Sequence, residues 1–145
     1  MSAKNFFTEQ QKHSIQQAIA NAELNTSGEI RVHVDDKCKE DVLDKAANTF
    51  HYLKMDATEL RNGVLFYLAV EDHKFAIIGD KGINEKVPSD FWNHIKETML
   101  SHFKQNQFTD GLCKGIEMAG DKLKVHFPLQ HNDTNELSND VSFGS

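Results

Sequence analysis

The feature that most constrains the fold is an apolar run of seven residues, 64–70, that directly follows the dipeptide Asn62-Gly63. A continuous apolar run of this length is typical of a central strand that is covered on both faces of its sheet. A short polar link, residues 71–73, separates it from a second apolar run at 74–78. The two runs are therefore predicted to form an antiparallel hairpin.

The residues before this hairpin predict a helix, a strand and a second helix. Thr8 and Gln11 form a capping-box pattern at the start of an amphipathic helix over residues 9–23. Residues 29–34 then alternate between apolar and polar side chains, which indicates a strand with one buried face. Asp41 is placed to cap a second helix over 41–54. Because a helix connects this first strand to the next one, the two strands are predicted to be parallel.

Two further helices are predicted after the loop 79–90. Ser89 or Asp90 is expected to cap the third helix, and Thr109 or Asp110 the fourth. The fold class expected from this order is α/β, as a three-layer α/β/α sandwich around a small mixed central sheet. We expect residues 1–128 to form this single domain.

The segment 129–145 differs in composition from the rest of the chain. It carries three acidic residues and no lysine or arginine, and so accounts for half of the net charge of −6. Few of its residues are apolar, so burial cannot offset the entropy of ordering, and we expect a disordered acidic tail. The remaining domain has only a small net negative charge with both signs mixed, which argues against a nucleic-acid partner.

Two cysteines without a paired spacing indicate a reducing compartment, and we expect a cytoplasmic protein. The first residues lack the apolar segment of a signal peptide, and no run is long enough to span a bilayer, so membrane insertion is not expected.

Oxygen-bearing side chains are predicted to meet at one edge of the sheet. If the first two strands are parallel and the third returns, then Glu29, Asn62 and Asp80 lie at the same edge. The loop 79–90 adds Glu85 and Asp90, and the loop before the second strand adds Asp56 and Glu59. Such oxygen donors suit a hard divalent cation such as calcium. The alternative is that these acids only cap helices and hold turns.

Familiar enzyme and nucleotide-binding motifs are absent from the sequence. There is no phosphate-binding glycine loop, no Cys-x5-Arg motif, no nucleophile elbow and no His-Glu-x-x-His helix. His33, on the polar side of the first strand, is expected at the surface. Arg31 and Arg61 lie near the acidic edge, where they either neutralise the acids or bind a phosphoryl group.

Several segments together resemble the TPM domain family, over about residues 5–127. They are Thr-Ser-Gly-Glu-Ile-Arg-Val at 26–32, Arg-Asn-Gly-Val-Leu-Phe-Tyr-Leu-Ala at 61–69, Gly-Asp-Lys-Gly-Ile at 79–83, Val-Pro-Ser-Asp at 87–90, and residues 108–115. The resemblance implies an α/β/α sandwich in which two loops cross and bind one or two divalent ions of the calcium type. The implied ligands are Glu29, Asn62, Asp80, Glu85 and Asp90. Arg61 departs from the acid or small polar residue that is usual before Asn-Gly in this family.

The function expected from these observations is a metal-responsive regulatory or binding module, in which the ion orders the two crossing loops. It would stand alone as a domain, as a monomer, with an unidentified protein as its partner. The alternative is a metal-assisted acid phosphatase, which rests only on an activity associated with plant members of the resembled family. No catalytic residue can be assigned from the sequence.

Overall fold

The computed structural model describes residues 2–129 and 140–144 and has a four-stranded sheet at its centre. In chain order the elements are α1 (Ala3–Phe6), α2 (Glu9–Ala22), β1 (Glu29–Asp35), α3 (Val42–Tyr52), a 3-10 turn (Met55–Ala57), β2 (Gly63–Ala69), β3 (Lys74–Gly79), α4 (Lys81–Asn84), α5 (Asn93–Phe103), α6 (Phe108–His126) and β4 (Ser142–Phe143). The strands lie in the order β3-β2-β1-β4.

The predicted strand directions are confirmed. β1 runs parallel to β2, with Glu29 opposite Gly63, and β2 runs antiparallel to β3, with Val64 opposite Gly79. The start of β1, the start of β2 and the end of β3 therefore share one edge of the sheet. This register brings the candidate site residues Glu29, Asn62 and Asp80 to that edge.

The pleat of β2 divides the core between two helical layers. Val64, Phe66 and Leu68 belong to a large apolar cluster with α2, α5 and α6. Leu65 and Tyr67 belong to a smaller cluster with α3. Successive strand residues point to opposite faces of the sheet, so the two clusters lie on different faces. Helices therefore cover both faces, and the three-layer α/β/α architecture is confirmed.

The first two predicted helix starts are confirmed by their caps. The Thr8 hydroxyl accepts from the backbone N–H of Gln11, and the Gln11 side chain accepts from Thr8 N–H, which completes a capping box. The Asp41 carboxylate accepts from the N–H groups of Leu43 and Asp44 at the start of α3.

The last two helix starts differ from the prediction. Neither Ser89 nor Asp90 caps α5, which begins after Trp92 without a side-chain cap, because a turn with a hydrogen bond from Asn93 N–H to the Asp90 carbonyl leads into it. α6 begins earlier than predicted, at Phe108, so Thr109 and Asp110 lie inside its first turn. The loop 79–90 also contains the short helix α4, which Asp80 caps.

The C-terminal residues rejoin the sheet. Residues 130–139 and 145 of the predicted disordered tail lie outside the described residues. Residues 140–144 differ from that prediction, because β4 pairs parallel to β1 and Gly144 N–H donates to the Val34 carbonyl. Val141 is buried and Phe143 packs on the large apolar cluster, so this short segment does contain the apolar side chains that its ordering requires.

A buried polar chain links β4 to the sheet. His33 is 7% exposed rather than at the surface, so that expectation is wrong. Its Nδ1 lies 2.7 Å from the Ser142 hydroxyl oxygen, and its Nε2 lies 2.8 Å from the Asp35 carboxylate. The Tyr67 hydroxyl donates to the same carboxylate at 2.5 Å. Burial alone would raise the pKa of Asp35, but the hydrogen bonds from His33 and Tyr67 outweigh it and hold that pKa below its usual range.

No helix in residues 2–129 and 140–144 combines the length and the apolar character that a bilayer crossing requires.

Candidate site at a loop junction

Three of the predicted site residues come together at the edge where β1 and β2 begin and β3 ends. Glu29 N–H donates to the Asn62 carbonyl at 3.3 Å, and Asp80 N–H donates to the Gly63 carbonyl at 2.9 Å. Glu29, Asn62 and Asp80 are 3%, 1% and 5% exposed, respectively. The convergence that strand order predicts is therefore present.

Two loops pack closely against each other at this edge, and residues 58–62 and 79–85 are called the loop junction below. Gly82 N–H donates to the Arg61 carbonyl at 2.9 Å. A Cβ atom on Gly82 would lie 2.6 Å from that carbonyl oxygen and closer still to the carbonyl oxygen of Leu60. Arg61 itself has a φ of 51°, in the left-handed region. The close approach of the two backbones therefore requires glycine at position 82.

An ion pair between Arg61 and Asp80 closes the loop junction. The guanidinium Nε and one terminal nitrogen donate to the two carboxylate oxygens at 2.8 and 3.0 Å. The hydrogen bonds to Asp80, together with its negative charge, raise the pKa of Arg61. The Asp80 side chain is 5% exposed, whereas that of Arg61 is 43% exposed. A cationic side chain at the surface thus neutralises a buried carboxylate.

Asp80 and Asn62 also hold backbone and side-chain groups nearby. One Asp80 oxygen accepts from Lys81 N–H at 2.7 Å. The Asn62 side-chain amide donates to the Ser27 hydroxyl at 3.3 Å, and Asn62 N–H donates to the Thr58 hydroxyl at 3.3 Å. The alternative prediction, that these side chains cap helices and hold turns, therefore describes part of their role.

The other predicted ligands lie apart from this buried group. Glu85 and Asp90 are exposed. Asp56 pairs with His51 at 3.0 Å, and that hydrogen bond lowers the pKa of Asp56. Among the residues that the structure describes, no three His, Cys, Asp or Glu side chains lie close enough to hold a metal ion together. The donor chemistry suits calcium, but in this arrangement the side chains do not form a complete ligand set.

A further acid at this edge, Glu23, was not among the predicted site residues. It is the last residue of the turn that ends α2, and its carboxylate accepts from Ile30 N–H at 2.8 Å. Burial raises the pKa of Glu23 to about 7, the hydrogen bond from Ile30 opposes this rise, and the charge of Glu29 adds to it. Nothing in the sequence pattern sets Glu23 apart from an ordinary surface acid at a helix end.

Solved structures with the same fold come from three bacteria. The NMR structure of BA42 from the psychrophilic Bizionia argentinensis is 49% identical, with a TM-score of 0.91 over 97% of each chain. An N-terminal domain from P. gingivalis is 15% identical, with a TM-score of 0.71 over 88% of this chain and 84% of that one. The N-terminal domain of cg2496 from Corynebacterium glutamicum is 14% identical, with a TM-score of 0.65 over 90% and 85%. The last two show the fold alone.

No curated protein matches this chain. The TPM domain matches residues 1–122, which include β1, β2, β3 and both segments of the loop junction. The chain belongs to the TPM domain family.

Proposed function

We propose that this TPM domain is a binding module that responds to divalent cations, calcium first among them, through the loop junction. One or two ions would act there, and a protein partner would recognise the changed loop surface. The proposed ligands are the buried Glu29, Asn62 and Asp80, with Glu85 and Asp90 as further oxygen donors from the same loop. Calcium takes six to eight oxygens, so more donors than the buried three are required.

The observation that carries this proposal is the pairing of Asp80 with Arg61. A carboxylate that is 5% exposed is expensive to bury without a cationic partner. Arg61 supplies that positive charge from the surface, and its side chain can turn to solvent without opening the core. Asp80 can therefore exchange one cation for another, and the exchange would release a contact between the two loops.

The position of the pair explains why such an exchange would have a structural effect. Arg61 joins the loops twice, through its guanidinium to Asp80 and through its carbonyl to Gly82 N–H. A change at Asp80 therefore reaches both segments of the loop junction. A ligand that changes a bond joining two loops can change the local order of both loops.

A calcium titration followed by amide NMR tests the proposal. We expect the signals of Asn62, Asp80 and Gly82 to shift at millimolar calcium. Arg61→Gln should respond at lower calcium than the wild type, because Asp80 is then free of its competing cation. Asp80→Asn should respond only weakly.

The matched control is Asp121→Asn, which removes an exposed acid that pairs with Lys124 on α6. It should leave the titration unchanged. Wild-type signals at the loop junction that do not move, or an Arg61→Gln variant with weaker calcium binding, would overturn the proposal.

The alternative, a metal-assisted acid phosphatase, stays a prediction. In the described structure the guanidinium of Arg61 is committed to Asp80, so it could bind a phosphoryl group only after that pair opens. Hydrolysis of an aryl phosphate that is lost in both Arg61→Gln and Asp80→Asn would support an enzyme. Activity that survives both changes would come from a contaminant.

A further inference from the structure

A cavity of about 240 Å³ lies at the end of the sheet opposite the loop junction. The end of β2 and the start of β3 form one wall, through Leu68, Val70 and Phe75, and α5 and the start of α6 form another. Leu100, which is 42% exposed, lies at its rim. The cavity therefore opens to solvent and is independent of the proposed cation site.

Four phenylalanine rings give the cavity a mostly apolar wall of defined shape. The Phe75 and Phe103 rings meet edge to face at 5.0 Å, and Phe103 stacks on Phe108 at 5.5 Å. Phe6, from α1, meets Phe108 at 5.2 Å. Because each ring packs against another, the wall is formed before any ligand arrives, as in many small-molecule sites.

The charged residues that line the cavity are lysines. They are Lys74 and Lys104, His73 is the remaining polar residue, and no acidic residue among those that the structure describes lines the cavity. The Lys74 ammonium donates to the Cys38 carbonyl at 3.0 Å, and Cys38 belongs to the smaller apolar cluster on the other face of the sheet, so the charge at this cavity comes from Lys104. Lys104 follows α5 and is exposed. In a chain with a net charge of −6, an apolar cavity with the exposed Lys104 at its edge favours an anionic ligand.

We infer that this cavity binds a medium-chain carboxylate, with the apolar chain between the phenylalanine rings and the carboxylate beside Lys104. Its volume exceeds the about 150 Å³ of an engineered apolar cavity that binds benzene. A flexible chain of roughly eight carbons, somewhat larger than a benzene ring, therefore suits a space of this size. The inferred ligand combines the two properties of the cavity, an apolar wall and a cationic rim.

Titration of the full chain with octanoate, followed by amide NMR, tests this inference. Signals of Val70, His73, Phe103 and Phe108 should shift in a saturable way, while that of Gly82 should not. Octanol, which has the same chain without the charge, and acetate, which has the charge without the chain, should each bind at least several-fold more weakly.

Two variants separate the contributions of charge and shape. Lys104→Gln should weaken octanoate binding about fivefold, the effect of losing one solvent-screened charge pair. Leu100→Trp should obstruct the rim and abolish binding, and since Leu100 lies at the surface and is 42% exposed this change should not impair folding. Lys122→Gln is the matched control, because Lys122 is an exposed lysine of α6 that does not line the cavity.

Three results would overturn the inference: octanol binding as tightly as octanoate, Lys104→Gln binding as tightly as the Lys122→Gln control, or shifts scattered over the whole surface. A folded Leu100→Trp variant that still binds octanoate with wild-type affinity would also contradict it.

Discussion

Replacement of Glu23 by Gln should stabilise the protein at neutral and higher pH. Glu23 has a pKa raised from 4.5 to about 7, mainly by burial, with an added contribution from the charge of Glu29. Glutamine keeps a side-chain oxygen that can accept from Ile30 N–H and removes the charge that burial disfavours. The substitution therefore isolates the cost of ionising this one carboxyl group.

The sign follows from proton binding to the two states. The folded state holds the Glu23 proton more tightly than the unfolded chain does, so the free energy of unfolding falls as the pH rises from 4.5 to about 7 and is then constant. A shift of this size corresponds to at most about 3 kcal/mol. Because Glu23 is only partly buried, solvent screening reduces the effect to an expected ~1–2 kcal/mol.

Urea denaturation at several pH values between about 4.5 and 8, with a chelator present, measures this effect. The free energy of unfolding of Glu23→Gln should equal that of the wild type at the acidic limit and exceed it increasingly up to neutral pH. Glu117→Gln, an exposed change on α6, should follow the wild type at every pH. A difference between Glu23→Gln and the wild type that does not vary with pH would refute the reasoning.

Three other substitutions test the packing of the fold. Gly82→Ala should cost about 1–3 kcal/mol in urea denaturation, since its Cβ would press on the opposite loop, and a variant as stable as the wild type would contradict the close approach. Asp35→Asn should lose about 1–3 kcal/mol near neutral pH and less in acid, because the lowered pKa of Asp35 stabilises the fold above its usual value of 3.8 and loses that effect as the pH falls. An equal loss at every pH would count against this charge-based explanation. Phe143→Ala should cost about 1 kcal/mol and expose β4 to proteolysis, and unchanged resistance would show that this ring does not hold the strand.

The central fold was predictable because its signals are local and repeated. The apolar runs of β2 and β3, and the capping residues Thr8 and Asp41, each specify an element without help from distant residues. Strand order then follows from the rules for helical and hairpin connections. β4 was not predicted because a strand of two residues is too short to show an alternation of apolar and polar side chains. Its pairing also depends on burial beside β1, which is distant in sequence.

The candidate site was predictable in position but not in its contacts. Strand direction brought Glu29, Asn62 and Asp80 to one edge. The hydrogen bonds from Arg61 to Asp80 depend on a left-handed backbone at Arg61 and on the approach of a second loop, and no short sequence pattern records either. The raised pKa of Glu23 likewise depends on burial by residues that are distant in sequence.

The most direct test of the proposed cation response uses the side-chain Nε–H signals of arginine. The chain contains two arginines, so a ¹H–¹⁵N spectrum of this region reports Arg61 beside a single internal reference, Arg31. The Nε–H of Arg61 donates to Asp80 at 2.8 Å, and its signal therefore reports the pair itself. We predict that millimolar calcium shifts the Arg61 signal and leaves that of Arg31 in place. An Arg61 signal that stays unchanged throughout the titration would contradict the exchange of Arg61 for a divalent cation.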